Sequence, residues 1–273
     1  MKKILQAFVI IAFLTVSCEK DAGRMIDVDG HAMYLICEGS GSPTVILEAG
    51  YNDVSDTWSL IQPEVAGFTR VCAYDRAGLG RSESGPEPRD SDQVIHELHS
   101  LLENAGIEGP YILVGHSLGG MYMRLFADDY PDEVAGLVLV DAAHKDDAER
   151  CAAALPPESE DESESLKSLR VYLADPIVFP DIPDHIFEPG SLDDLPLIVL
   201  SVPSQQRPGD LPIELRDALD EIWMGEQEEW ALISTHTTHI LVYDSSHFIQ
   251  QDQPEQVVDA IRQVFEEVQP DSQ

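Results

Sequence analysis

The chain has 273 residues, of which 43% are hydrophobic, and this suits one α/β domain with a substantial core. Against 16 Lys and Arg residues stand 51 Asp and Glu residues, which gives a formal net charge of −35. This acidity argues against a nucleic acid as partner, because few side chains could neutralise phosphates. It also exceeds what solubility requires, so the sequence predicts a protein of a salt-rich medium, with an ordinary acidic secreted protein as the alternative.

Residues 1–17 have the pattern of a signal peptide. Two lysines precede an apolar run from Ile4 to Val16, which is short for a transmembrane helix. The run ends at Thr15-Val16-Ser17-Cys18, which resembles a bacterial lipobox, although Leu14 lies one position earlier than is usual. We therefore expect acylation of Cys18 and a membrane-anchored lipoprotein outside the cytoplasm. Plain secretion or a periplasmic location is the alternative.

Three further cysteines are Cys37, Cys72 and Cys151, an odd number that cannot pair completely. Cys37 and Cys72 lie in predicted strands and are interpreted as small buried hydrophobic residues. The sequence contains no Cys-x-x-Cys pair and no His/Cys cluster with metal-ligand spacing, so it predicts no metal site.

Strand and helix patterns alternate along the rest of the chain. Predicted strands cover residues 25–28, 33–37, 44–47, 69–74, 111–114, 135–140, 197–200 and 240–243. Predicted helices cover residues 55–65, 92–105, 146–155 and 213–233, together with segments that begin after Ser117 and at Pro254. Such alternation predicts a parallel sheet covered on both faces, with ligands beyond the carboxyl ends of the strands.

The segment Gly115-His116-Ser117-Leu118-Gly119 follows a predicted strand and opens a predicted helix. It matches G-x-S-x-G, whose serine hydroxyl is exposed on a sharp turn between strand and helix. The backbone of such a turn is strained, and a Cβ on either flanking glycine would crowd it. The sequence therefore predicts a nucleophilic serine at position 117.

Three more segments share their order with a known family. They are Asp75 to Ser82, Leu137 to Asp141, and Ser246-His247-Phe248 followed by Asp252 to Glu255. Together with the turn at Ser117 they resemble the α/β-hydrolase-fold serine hydrolases of the esterase and peptidase type. The resemblance covers about residues 25–268. It implies a mostly parallel eight-stranded sheet flanked by helices, with a lid at about residues 142–195, a tether at 18–24 and a tail at 269–273.

The resemblance and the chemistry together assign the catalytic residues. A serine hydroxyl is a weak nucleophile and needs a base within hydrogen-bond reach. His247 follows the last predicted strand and comes after Ser117 in chain order, as the fold requires. The acid is less determined: Asp141 ends the strand after the Ser117 helix and is the first candidate, and Asp210 is the second.

Two backbone N–H groups should stabilise the oxyanion. Leu118 supplies one at the start of its helix, and the resemblance implies Tyr51 as the other. The sequence reads Ala49-Gly50 where the family usually has His-Gly, which leaves the second donor open. Asp75 and Arg76 are expected to brace the nearby loops, and His116 to pack or to line the pocket.

These residues predict a carboxylesterase-like serine hydrolase that forms an acyl-enzyme and needs no metal or organic cofactor. Its partner would be a small-molecule ester or amide, and we expect a monomer. An aminopeptidase-like hydrolase of the same fold is one alternative, and a non-catalytic surface-binding lipoprotein is another. The natural substrate and its acyl-chain length are not encoded in any motif.

Overall fold

The structure is a computed structural model that describes residues 23–174 and 182–269. The predicted signal peptide and Cys18 lie outside these residues, as do part of the tether, residues 175–181 of the expected lid and most of the tail. Within the two described ranges, every helix is too short or too polar to cross a bilayer.

Eight strands form one sheet, which confirms the predicted α/β hydrolase architecture. The strands are β1 (Arg24–Val28), β2 (His31–Glu38), β3 (Thr44–Glu48), β4 (Val71–Tyr74), β5 (Tyr111–His116), β6 (Val134–Val140), β7 (Leu197–Ser201) and β8 (Thr237–Leu241). Their order across the sheet is β1-β2-β4-β3-β5-β6-β7-β8. Strand β2 pairs antiparallel with both β1 and β4. The other pairings, which join β4, β3, β5, β6, β7 and β8 in that order, are parallel.

Helices cover both faces of the sheet. They are α1 (Gln62–Val65), α2 (Ser91–Ala105), α3 (Leu118–Asp129), α4 (Asp147–Ala154), α5 (Glu164–Leu173), α6 (Ile213–Trp230), α7 (Ile249–Asp252) and α8 (Pro254–Val268). Short 3₁₀ helices span Ser55–Trp58, Pro131–Glu133 and Asp184–Phe187.

The core has two layers because successive side chains of a strand point to opposite faces. On one face, Leu113 of β5 packs in a cluster with residues of α2 and α3. On the other, Ile112 and Val114 pack in a second cluster with residues of α1 and α8. The central strands are therefore apolar throughout, as expected of strands buried on both faces.

The structure corrects two predicted elements in particular. The apolar run predicts the last strand at residues 240–243, but β8 spans Thr237–Leu241, since its parallel pairing with β7 already begins at Thr237. The helix predicted over residues 55–65 is divided into a 3₁₀ turn and α1, with Pro63 in the first turn of the second piece.

The interpretation of Cys37 and Cys72 as unpaired hydrophobic residues is also wrong. The two cysteines form a disulfide. They face each other as register partners in β2 and β4, with their Cα atoms 4.1 Å apart. This pairing depends on strand order, which cysteine spacing does not reveal. Among the described residues, Cys151 is a free, buried cysteine.

At Gly120, α3 packs closely against the residues that follow β6, and substitutions can test this contact. A Cβ at Gly120 would lie 2.4 Å from the Ala142 Cβ, whereas a Cβ at Gly225, in the middle of α6, would meet nothing within 4 Å. We expect Gly120→Ala to lower the free energy of unfolding by about 1–3 kcal/mol. Gly225→Ala should raise it by about 0.4–1 kcal/mol. Urea unfolding of both variants checks this, and equal stabilities would contradict the close packing.

Candidate active site

Ser117 occupies a strained bend between β5 and α3. Its backbone angles are φ 53° and ψ −124°, which place a non-glycine residue outside the regions that L-residues favour. A Cβ at Gly115 would lie 2.4 Å from the Gly119 carbonyl oxygen, and one at Gly119 would lie 2.6 Å from the carbonyl oxygen of Glu48. Both glycines are therefore required by the close approach of the backbone on either side of Ser117.

His247 lies on the loop after β8 and contacts the carboxylate of Asp141. Its Nδ1 is 2.7 Å from Oδ2 of Asp141, which is fully buried at the end of β6. Since an ionised carboxylate only accepts hydrogen bonds, Nδ1 carries the hydrogen and Nε2 is left as an acceptor. The imidazole is 29% exposed, so it remains open to a ligand.

The Asp141 carboxylate accepts three further hydrogen bonds. Oδ1 accepts from the Val202 N–H at 3.0 Å and from the Trp223 indole N–H at 2.9 Å. Oδ2 accepts from the Gln205 side-chain amide at 2.8 Å. These donors compensate the desolvation of a buried charge and hold both carboxylate oxygens in place. Sequence reasoning does not identify Gln205 or Trp223 as partners of Asp141, because neither belongs to a motif.

The other residues considered for the acid and the base lie elsewhere. Asp210 lies on a loop, where its carboxylate accepts a hydrogen bond from the Ser165 N–H at 3.4 Å. His236 precedes β8 and pairs with Glu267 at 3.5 Å. His239 lies inside β8, with its Nε2 2.9 Å from the Ser201 hydroxyl. The structure thus brings Asp141, and not Asp210, to His247.

His116 connects the Ser117 bend to the His247 loop. Its Nε2–H donates to the backbone carbonyl of His247 at 2.9 Å, and the two imidazole centroids are 4.7 Å apart. Burial holds the pKa of His116 well below its usual value, so the ring stays neutral beside His247.

Arg76 holds the loop that follows β3. Its guanidinium pairs with the buried Glu48 carboxylate and donates to the Ala49 and Gly50 carbonyls at 2.7 and 2.5 Å. Because a peptide unit is planar, fixing the Gly50 carbonyl also fixes the opposite direction of the Tyr51 N–H. Burial raises the pKa of Glu48 to about 7, against the opposing effect of Arg76.

Asp75 makes the neighbouring brace. Its carboxylate accepts from the Ser55 N–H at 2.8 Å and from the Arg81 N–H at 2.9 Å, which links the loops after β3 and β4. These contacts match the bracing role expected for Asp75 and Arg76.

Two cavities adjoin the bend. The first, here called the His247 cavity, measures about 490 Å³. Its walls include Ser117, Asp147, His247, Gln205, Arg207, Trp223, Phe248 and three residues of α5, namely Leu169, Tyr172 and Leu173. The second, here called the Tyr51 cavity, measures about 540 Å³ and is lined by Tyr51, Leu118, Arg76, Arg89 and Tyr122 among others. Each predicted oxyanion donor thus borders the second cavity, while the nucleophile and base border the first.

Two buried carboxylates beside the His247 cavity carry no sequence signal. Asp147 opens α4 and is 8% exposed, and Glu226 lies fully buried on α6. Burial, reinforced by the Asp147 charge, raises the pKa of Glu226 to about 9. A motif search does not find such residues, because only the packing of α4 against α6 brings them together.

One group of side chains among the described residues has ligand atoms spaced for a metal ion. His144, Asp146 and Glu229 place such atoms within 4.8 Å of one another. Arg150 donates to both carboxylates, at 2.9 Å to Asp146 and at 2.8 and 3.0 Å to Glu229. A guanidinium therefore already provides the positive charge at this position.

Comparisons with known proteins agree with the fold. A family model for the alpha/beta hydrolase fold matches residues 43–170. The uncharacterized protein YqjL of Bacillus subtilis is 29% identical over 229 residues, which cover 84% of this chain and 85% of that protein. The uncharacterized protein YbdG of the same organism is 31% identical over 124 residues, which cover 45% of this chain and 38% of the longer relative.

Solved structures show the same architecture. A thermophilic esterase from Thermogutta terrifontis matches with a TM-score of 0.63 and 22% sequence identity, over 91% of this chain and 99% of the esterase. The strand order, the strained bend at Ser117 and these matches lead to one conclusion. The chain has the α/β hydrolase fold.

Proposed function

We propose that this α/β-hydrolase-fold protein is a serine hydrolase that cleaves a carboxylic ester through an acyl-enzyme intermediate. One observation carries the proposal: the imidazole of His247, held by the buried Asp141 carboxylate at 2.7 Å, lines the same cavity as Ser117. A nucleophile, a base and a group that orients the base are the parts that acyl transfer needs.

The proposed reaction follows from these positions. The Ser117 hydroxyl attacks the ester carbonyl while Nε2 of His247 takes its proton. Asp141 stabilises the imidazolium that forms, and the Leu118 and Tyr51 N–H groups donate to the oxyanion. His247 then returns the proton to the leaving alcohol. Water, activated by the same imidazole, hydrolyses the acyl-enzyme.

Ester cleavage is the first candidate because the structurally similar protein from Thermogutta terrifontis is an esterase. An aminopeptidase-like hydrolase is the second candidate, and the Asp147 carboxylate in the His247 cavity favours it, since a carboxylate could hold a substrate amine. Rates of hydrolysis of short p-nitrophenyl esters and of amino-acid anilides separate the two candidates.

Residues 142–174 and 182–195 would form the lid of this hydrolase, because three residues of α5 line the His247 cavity.

The nucleophile is tested by labelling with a fluorophosphonate probe. The wild-type protein should be labelled on Ser117, and Ser117→Ala should be unlabelled and lose at least about 10⁴-fold in kcat for p-nitrophenyl acetate. His116→Gln is a control that leaves the hydroxyl in place and should still be labelled. A wild-type protein that neither reacts with the probe nor hydrolyses any ester would instead support the non-catalytic lipoprotein.

The acid is tested by a matched pair of aspartate substitutions. Asp141→Asn should lower kcat roughly 10³- to 10⁴-fold, because an amide can no longer stabilise the imidazolium or fix its tautomer. Asp210→Asn should change kcat less than about twofold, since that carboxylate lies on a loop against Ser165. Thermal unfolding of both variants controls for folding. Full activity in Asp141→Asn would contradict the assignment.

We also propose that the protein works outside the cytoplasm. The Cys37–Cys72 disulfide supports this location, because disulfides persist in oxidising compartments and are rare in the cytosol. The lipid anchor at Cys18 and its signal peptide remain predictions that a mass measurement of the mature N-terminus would test.

The net charge of −35 supports a salt-rich environment as part of this proposal. Dissolved ions screen the repulsion among carboxylates, so molar sodium chloride should raise the midpoint of thermal unfolding by about 5 °C or more. Sorbitol at equal osmolality is the control for solute effects other than screening. A midpoint that does not respond to salt would contradict adaptation to high salt.

A further inference from the structure

Asp147 places a buried carboxyl group in the wall of the His247 cavity. Its carboxylate lines the cavity beside the imidazole and is 8% exposed. A weak hydrogen bond from the Cys151 thiol reaches its Oδ1 at 3.2 Å. Burial raises the pKa of Asp147, and the hydrogen bond from Cys151 and the charge of Arg207 have smaller, opposite effects.

Glu226 lies behind Asp147 and makes the pair unusual. It is fully buried, and neither of its oxygens accepts a hydrogen bond from the described residues. Trp223 and Glu226 are three residues apart on α6, so both project from the same side of the helix, which is the side that faces the cavity. With its pKa raised to about 9, Glu226 keeps a proton at pH 7.

The nearby guanidinium groups are already engaged. Arg207 lines the same cavity, but its Nε donates to Asp220 at 2.7 Å and its NH2 donates to the Leu219 carbonyl at 3.0 Å. Arg150 approaches Glu226 only to 3.7 Å and is bound to Glu229 at 2.8 and 3.0 Å. Neither guanidinium makes a direct ion pair with Asp147 in the described part of the chain, although the charge of Arg207 opposes the rise in the Asp147 pKa.

Three aromatic residues, Trp223, Tyr172 and Phe248, line the same cavity as Asp147. The Trp223 ring is held by its hydrogen bond to Asp141 at 2.9 Å. A carboxylate among aromatic faces is the combination that binds ammonium groups, through charge and cation–π attraction.

The position of the base decides which half of the substrate occupies this cavity. His247 must protonate the leaving oxygen, so the leaving group lies beside the imidazole. The acyl group is then directed to the Tyr51 cavity, which is bordered by the oxyanion donors and lined by Arg76 and Arg89. Glu87 and Asp90 also line that cavity, and both guanidiniums are paired with glutamates, so the position of His247 alone assigns the two halves of the substrate.

We propose that the preferred substrates are esters whose leaving alcohol carries an ammonium group, which Asp147 and the aromatic rings of the His247 cavity bind. This inference rests on the serine hydrolase proposed above. It names the leaving group, and not the acyl amine of an aminopeptidase substrate, as the cationic part.

The test compares two esters of the same shape at constant ionic strength. Trimethylammonioethyl acetate carries the charge, and 3,3-dimethylbutyl acetate replaces nitrogen with carbon. We expect the wild-type protein to favour the charged ester roughly tenfold or more in kcat/KM. Asp147→Asn should bring this ratio close to one. The ratio is taken within each variant, so a general loss of activity cancels.

Asp132→Asn is the matched control, since Asp132 is exposed on the 3₁₀ helix that precedes β6, at the opposite end of that strand from Asp141. Asp132→Asn should keep the wild-type ratio of kcat/KM between the charged and the neutral ester. A preference caused only by the net charge of the protein would persist in both Asp132→Asn and Asp147→Asn, and that result would overturn the proposal. If Asp147→Asn does not fold, inhibition of the wild-type protein by tetramethylammonium chloride tests the proposal instead. This salt should inhibit p-nitrophenyl acetate hydrolysis competitively, and inhibition no stronger than that of sodium chloride would overturn the proposal.

The remaining outcomes separate this inference from the proposed function. Equal rates on the two acetates would overturn the inference while ester hydrolysis stands. A preference for alanine esters of neutral alcohols over the matching propionates would place the cation on the acyl side and also overturn it. Failure on every ester, without labelling of Ser117, would overturn the proposed function itself.

Discussion

The carboxylate of Asp141 joins parts of the chain that no local interaction could bring together. It accepts hydrogen bonds from Val202 after β7, from Gln205, from Trp223 on α6 and from His247 after β8. These partners lie between 61 and 106 residues away in sequence. A buried charge is stable only when its hydrogen-bonding capacity is satisfied, so all four segments must be correctly placed together.

Four residues with a strained backbone also lie at the carboxyl-terminal edge of the sheet, where Asp141 is located. Ser117, Asp141, Asn52 and Asp244 follow four different strands and have φ values of 53°, 46°, 53° and 59°. Such conformations persist only where their surroundings over-determine them. Here the surroundings are the rigid parallel strands, the Asp141 network and the Arg76 brace, and together they would keep the reacting groups aligned before a substrate arrives.

The alternation of strands and helices was sufficient to predict a parallel sheet covered on both faces, because each apolar strand is buried on both faces and leaves a continuous signal. The family resemblance supplied the eight-stranded hydrolase architecture. Ser117 and His247 follow predicted strands in motifs, whereas Asp141 was chosen by resemblance, with Asp210 as the alternative. Asp147, Glu226 and Gln205 were missed because only tertiary packing gives them a role. The beginning of β8 was missed because Thr237 and Thr238 pair with β7 without an apolar run.

The Cys37–Cys72 disulfide has a consequence for how the sheet could come apart. β1 and β2 form its antiparallel edge, where a sheet would ordinarily fray first. The covalent bond ties β2 to β4, so β1 can still separate alone but β2 cannot leave the sheet unless β4 leaves with it. Unravelling from this border therefore stops after one strand as long as the bond stays oxidised.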